Sequence, residues 1–144
     1  DEDFFMYYED FDLGWRANLL GWRAYFNPSA LAYHYRGASS NISGTRFLSG
    51  KYAFVRKSID IRKHILVNRY LVLLKNCNFS LFLLYLPYLF FYELLFWIYM
   101  IIFDLRAGIS IINLFKLRRR ILNKRKIIFA KKIAKGRDIR KWII

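Results

Sequence analysis

The spacing of apolar positions divides the chain. Tyr8, Phe11, Trp15 and Leu19 recur at intervals of three, four and four residues, the period of one helical face. Glu9, Asp12 and Arg16 form a second face, on which Asp12 and Arg16 stand four apart, placed for an ion pair. Gly21 suits the residue just past the helix end. The next residues predict two short strands, Trp22–Asn27 and Ala30–Arg36, around an Asn27-Pro28-Ser29 turn. Gly37 to Asn41 then has loop chemistry. From Arg46 to Asn76 the pattern is helical and basic, with Phe47, Phe54, Ile61, Ile65 and Tyr70 set among Lys51, Arg56, Lys57, Arg62, Lys63 and Arg69. The last zone repeats the idea, with Ile111, Ile112, Leu114, Phe115, Leu117, Ile121 and Leu122 among Arg118, Arg119, Arg120, Lys124, Arg125 and Lys126. A basic helix with an apolar face reads as interfacial.

Between these zones lies Phe79–Phe103, whose only non-apolar residues are Ser80, Pro87 and Glu93. At about 1.5 Å per helical residue it is long enough to cross a ~30 Å hydrocarbon core. Three features argue against a straight span. Pro87 removes a backbone donor and kinks helices. Glu93 costs on the order of 3 kcal/mol at a bilayer centre. Both flanks are basic, which draws both to the cytoplasmic side. A bent, in-plane or re-entrant element satisfies all three. A single transmembrane span and a buried core helix are the alternatives. Three zones follow: 1–45, polar and carrying the candidate chemistry; 46–103, basic and then apolar; and 104–144, a basic amphipathic tail.

Charge sharpens this division. The 144 residues carry a net +15, and aromatics make up 20% of them, which excludes intrinsic disorder. Six of the ten acids lie in the first twelve residues, a stretch without a base, whereas Lys116 to Lys141 holds thirteen bases against Asp138 alone. A positive mean hydropathy of +0.14 beside a pI near 10.1 points to an anionic surface, a membrane or nucleic acid. The tail favours the membrane, because its Ile and Leu positions lie at amphipathic spacing and no base-reading motif is present. No nucleic-acid partner is therefore expected. The single cysteine, Cys77, excludes an intrachain disulfide framework and a cysteine-based zinc site. The opening is acidic and aromatic, lacks an initiator methionine and has no signal-peptide pattern, so the chain is expected to belong to something longer.

The candidate chemistry lies in Glu9-Asp10-Phe11-Asp12-Leu13. Asp10 shares a stripe with Leu13 and Ala17, so it is expected to face inward. Burial disfavours its charged form and the helix N-terminus favours it. A carboxylate kept ionised but poorly solvated suits a general base. The alternative is an ordinary acidic first turn that stabilises the helix. His34, between Tyr33 and Tyr35 on the second expected strand, is structural or a metal ligand that needs carboxylate partners. Asp1-Glu2-Asp3 spells D-x-D but does not end a hydrophobic strand, which argues against a nucleotide or metal site there. His64 is expected to be interfacial and Cys77 apolar in role.

The run Asp1 to Arg16, DEDFFMYYEDFDLGWR, resembles the acceptor-side motif of family 2 glycosyltransferases in their rhamnosyltransferase-like branch. Gly21 to Ala30 followed by Tyr33 to Ser39 resembles that family's second block, where a strand and an x-P-x-A turn lead to a histidine and a small-residue loop. Asn68-Arg69-Tyr70 and Leu74-Lys75-Asn76 resemble its membrane-proximal segment. The resemblance covers nearly the whole chain.

It implies an α/β fold for residues 1–45, the C-terminal acceptor half of a GT-A domain, followed by an α-helical, membrane-associated tail. It implies an inverting hexosyltransferase, inactive without a donor-binding half. That enzyme would move a sugar such as rhamnose from a dTDP- or UDP-sugar donor to a lipid-linked or cell-surface glycan. Asp10 would be the base and Glu9 would place the acceptor, with Asp12, Tyr8 and Arg16 around it. His34 would complete a Mg or Mn site shared with the missing donor half. Docking would be peripheral or re-entrant at the cytoplasmic face of the cell membrane, in polysaccharide biosynthesis. A non-catalytic membrane-anchored remnant or assembly module is the alternative.

Overall fold

The computed structural model describes residues 1–33, 57–135 and 138–139. Its regular elements are all helical: α1 (Glu9–Leu19), α2 (Ile59–Asn76), α3 (Phe79–Phe103), the short α4 (Leu105–Gly108) and α5 (Ile112–Ala130), with a 3-10 turn at Ile109–Ile111 before α5.

Local chemistry sets the ends of these helices. Tyr7 and Tyr8, ahead of α1, both adopt left-handed backbone conformations, with φ of 67° and 68°. Non-glycine residues take up that region only when surrounding structure holds them there. Here Asn68 of α2 does so, its Nδ2 donating to the carbonyls of Met6 (2.8 Å) and Tyr7 (2.9 Å). Glu9, Asp10 and Asp12 fill the first turn of α1, where negative charge complements the helix dipole. The other end closes on Gly21, whose φ of +82° meets the left-handed requirement of a helix terminus. The Gly21 N–H bonds the Asn18 carbonyl, and the Trp22 N–H reaches back to that of Ala17. The carbonyl of Leu19 accepts from Ile133 and Ala134, both at 3.0 Å, which pins the chain beyond α5 to this terminus. Ser58 caps α2 by accepting the Ile61 N–H. Asn78 caps α3 in the same way through Ser80.

The expected α/β half-domain is not formed: among the described residues there is no strand and no sheet. Trp22 to Tyr33 runs as irregular chain in which only the Asn27-Pro28-Ser29 turn is realised, through Ser29 N–H to Asn27 Oδ1 (3.0 Å) and Ala30 N–H to the Asn27 carbonyl (3.1 Å). The reason is pairing. An isolated strand leaves its N–H and C=O groups unmatched, and among the described residues none pairs with this segment as a strand. Its apolar side chains remain in solvent, with Phe26 at 90% and Tyr33 at 101% exposure. His34, the rest of the second expected strand and the loop from Gly37 to Asn41 lie outside the described residues, as does the expected helix before Lys57.

Helix α2 is the hub, packed by α1, α4 and α5. Its Leu71 and Val72 meet Phe4 and Ile121 in one small core, and its Leu66 meets Met100 and Ala107 in another. A third cluster joins Leu19 of α1 to Leu81 of α3 and to Ile139. Almost all of α3 lies outside these cores. Phe79, Leu83, Phe90, Phe91, Leu95 and Ile102 are exposed along its length, and the helix is long and apolar enough to cross a membrane.

Candidate functional site

Two of the segments that carry the resemblance, 1–16 and 68–76, fold against each other. Asn68, Lys75 and Asn76 stand at i, i+7 and i+8, one polar stripe on α2 beside the apolar Leu71 and Val72. Each has a partner in the first block. Asn68 holds the carbonyls before α1, Lys75 holds Asp1 (2.8 Å) and Asp3 (2.5 Å), and Asn76 Nδ2 donates to Asp12 Oδ1 at 2.7 Å. The periodicity of α2 contained this stripe, but polar residues at helical spacing read as a solvated face until a partner surface is known.

The stripe reverses the expected orientation of α1. Asp12 faces inward at 0% exposure, bridging Asn76 and the Arg16 Nε (2.7 Å). Asp10, expected inside with Leu13 and Ala17, is exposed, as is Leu13. The reason is that α2 offers the Asn76 amide where an apolar wall was expected, so Asp12 turns inward while Glu9 and Asp10 stay outside. The ion pair of Asp12 with Arg16 is as the spacing predicted. Glu9 is exposed beside Asp10. Tyr8 is half-buried against the Phe4 core, and burial raises its phenol above the usual range, against the opposing charge of Arg69.

Asp10 is therefore on a surface, and that surface borders a cavity. A groove of about 980 Å³ runs between α1 and the first half of α3, walled by Phe11, Trp15, Leu73, Leu81, Phe82 and Tyr85, with Asp10 and Asn18 on its α1 side. Cys77 also lines it, and burial pushes that thiol above its ordinary pKa. Among the described residues, Glu9, Asp10, Tyr8, Asp12 and Arg16 are thus drawn apart. Only Asp10 meets this groove, while Asp12 and Arg16 are tied to each other.

The D-x-D triplet is a knot of ion pairs, which the sequence reading did not anticipate. Three cations, Lys75, Arg120 and Lys124, meet the three acids. Lys124 and Arg120 draw the exposed Glu2 carboxyl down to about 2. Burial pushes Asp3 up, but hydrogen bonds from Lys75 and Lys124 outweigh it, and its pKa falls below the usual value. Burial also lowers the Lys75 ammonium, partly offset by Asp3. The carboxylate oxygens lie within 4.8 Å of one another, but three ammonium and guanidinium groups already satisfy them, so the triplet does not fit a divalent cation as it stands. The expected metal ligand, His34, is outside the described residues.

The apolar helix has its own polar seam. Glu93 of α3 pairs with Arg69 and accepts from the Tyr70 hydroxyl, both on α2. Trp97 Nε1 donates to that hydroxyl at 2.9 Å. Arg69 lies over the rings of Tyr70, Tyr92 and Phe96. Burial and the hydrogen bond to Glu93 push the Tyr70 phenol up to about 12. A second pair, Arg62–Asp104 at 3.1 Å, ties the far end of α3 to α2. No family model matches this chain, and neither a curated protein nor a solved structure does.

Proposed function

We propose that the chain is the acceptor-side, membrane-docking part of an inverting glycosyl transfer, moving a sugar from a dTDP- or UDP-sugar to a lipid-linked or cell-surface glycan. What supports this most is the Asp10 carboxylate on a groove whose other wall is the apolar helix α3. An acceptor hydroxyl carried by a lipid would meet a carboxylate there. Asp10 takes the proton of that hydroxyl as it attacks the anomeric carbon and the nucleoside diphosphate departs from the opposite face, and Glu9, exposed outside the groove, contacts the part of the acceptor that projects from it. The nucleotide-sugar is held by a separate donor-binding part.

The helix α3 lies along the membrane surface in this reading rather than through it. Arg62 and Arg69 bind it to α2 at two points, and α2 also carries Asp60, Lys63 and His64. Those charges would enter the hydrocarbon if α3 spanned with its partner attached. In the interface they stay hydrated, while Phe79, Phe90 and Ile102 enter the lipid. The basic α5 carries Lys116, Arg118, Arg119 and Lys126 toward anionic head groups of the cytoplasmic leaflet.

A non-catalytic membrane module is the second reading. It is favoured by the fact that Asp1, Glu2, Asp3 and Asp12 are all consumed in ion pairs. Membranes holding the chain, supplied with a donor-binding part, should transfer labelled sugar from a nucleotide-sugar. Asp10→Asn should lower turnover by ~10²–10⁴ without changing donor binding. Wild-type transfer by Asp10→Asn would reject the base assignment, and no transfer by the assembled pair would favour the second reading.

A further inference from the structure

Helix α5 carries its charge on two flanks, and the carboxylates of the chain occupy one of them. Arg120 and Lys124 are taken up by the Asp1-Glu2-Asp3 knot. The other flank is built of rows. Phe115, Leu122 and Phe129 recur every seven residues, which keeps them nearly in line along the helix. Arg119 and Lys126 stand four residues after the first two and form a cationic row on one side of that line. Arg118 and Arg125 stand three residues after the same two and form a row on the other. Phe115 and Leu122 are exposed, as are Arg119 and Lys126. A shallow groove of about 460 Å³ runs along this flank between Arg119, Leu122, Asn123, Arg125, Lys126 and Phe129. Arg125 anchors it, donating to the Leu74 carbonyl of α2 at 2.9 Å while its guanidinium lies 4.3 Å from the centre of the Phe129 ring.

The chain has no carboxylate placed to neutralise Arg119 and Lys126. Asp1, Glu2, Asp3, Asp12, Asp60, Glu93 and Asp104 are held by other bases. Glu9 and Asp10 are on α1, and Asp138 accepts from the Lys135 N–H. No Asp or Glu occurs at 34–56, 136–137 or 140–144. An exposed apolar row between two cationic rows calls for a partner that presents hydrocarbon and negative charge together.

We propose that this flank of α5 is a docking site for anionic phospholipid, with acyl chains against Phe115, Leu122 and Phe129 and lipid phosphates at Arg119, Asn123 and Lys126. Nucleic acid would match the charge but leave the apolar row in water. The inference rests on the proposed membrane docking and deepens it; it needs neither glycosyl transfer nor a particular angle of α3. It also divides the basic tail: Arg119 and Lys126 supply affinity for the leaflet, whereas Arg120 and Lys124 hold the fold.

A local label reads this flank apart from α3. The full chain with Cys77→Ser and Leu122→Cys carries one nitrobenzoxadiazole group on the apolar row. A second version, with Cys77→Ser and Ile127→Cys, carries it about 140° around the helix. Both positions are exposed. Each protein is reconstituted in phosphatidylcholine vesicles with and without phosphatidylglycerol. Phosphatidylglycerol should shift the emission of the Leu122 label to the blue, and the Ile127 label should stay in water. Arg119→Gln with Lys126→Gln should lower the ratio of docked to undocked Leu122 label about thirtyfold, at roughly fivefold for each cation near a charged surface. Arg119→Lys with Lys126→Arg should keep the shift. Lys63→Gln with Arg106→Gln, which removes the same charge elsewhere, should keep it too. No shift with phosphatidylglycerol, an equal shift in phosphatidylcholine alone, equal burial of the two labels, or an equal loss in the Lys63→Gln, Arg106→Gln pair would overturn the proposal. Displacement of the Leu122 label from the vesicles by duplex DNA at matched ionic strength would assign the flank to nucleic acid and overturn it equally. A spanning α3 with a docked α5 would reject only the in-plane reading of α3, and an in-plane α3 with an undocked α5 only this inference.

Discussion

Replacing Asp12 by alanine tests the inverted orientation of α1. Asp12 is wholly buried and holds two partners of different kinds. Arg16 is 27% exposed, so its guanidinium can rehydrate, and loss of this i,i+4 pair costs only about 0.3–0.5 kcal/mol. Asn76 is fully buried, and its Oδ1 already lacks a partner. Removing the carboxylate strands its NH₂ group as well, at about 1–3 kcal/mol. Loss of an acid from the first turn adds roughly 0.3–1 kcal/mol. Asp12→Ala should therefore destabilise by about 2–4 kcal/mol, read as a shift in the urea midpoint of helical circular dichroism with the full chain in mild detergent. Asp10→Ala in the same assay should cost only about 0.3–1 kcal/mol, the share of its first-turn charge and its exposed hydrogen bond from the Phe11 N–H, because it has no buried partner to strand. Combining Asp12→Ala with Asn76→Ala should cost less than the sum of the two, with a coupling of roughly 0.5–3 kcal/mol. An Asp12→Ala effect below about 1 kcal/mol, or one equal to that of Asp10→Ala, would refute the orientation.

Three further outcomes follow from the packing. Gly14→Ala should raise stability by about 0.5–1 kcal/mol in the same denaturation assay, since the position is helical, open and exposed. Arg69→Met alone should destabilise strongly by leaving Glu93 unpaired, whereas Arg69→Met with Glu93→Leu should recover most of the loss in thermal melts. The carboxyl of Asp3 has its pKa lowered from the ordinary 3.8, so its stabilising contribution is present above that pH and is lost as pH falls through the lower folded value. The melting temperature should therefore drop below about pH 4 in the wild type and fall less steeply there in Asp3→Asn.

The periodic features were legible in the sequence. The apolar run and α3 share the same bounds, Phe79–Phe103, and α1, its Gly21 terminus, the Asn27 turn and the Asp12–Arg16 pair lie where spacing put them. Spacing marks faces but not which face turns inward. The stripe of Asp10, Leu13 and Ala17 looked apolar, but the inward choice was made by Asn68, Lys75 and Asn76, more than fifty residues away in sequence. Glu93 looked costly in an apolar helix for the same reason, its counterion Arg69 lying on a different helix. The expected strands depended on a sheet that the described residues do not contain, and β-pairing cannot be read from one segment alone.

The proposed function depends on α3 lying in the plane of the membrane, because only then does the lip of the groove at Asp10 meet the head groups. With Cys77 replaced by serine, single nitroxide labels at Phe79, Leu83, Phe90, Leu94, Ile98 and Ile101, all exposed along α3, can be placed in anionic bilayers one at a time. Their depths can then be read from collisions with oxygen and with a water-soluble nickel complex. An in-plane helix predicts six similar, shallow depths, about 5–10 Å below the head groups. Depths that rise to a maximum near Phe90 and fall again toward both ends, across a core of ~30 Å, would contradict it.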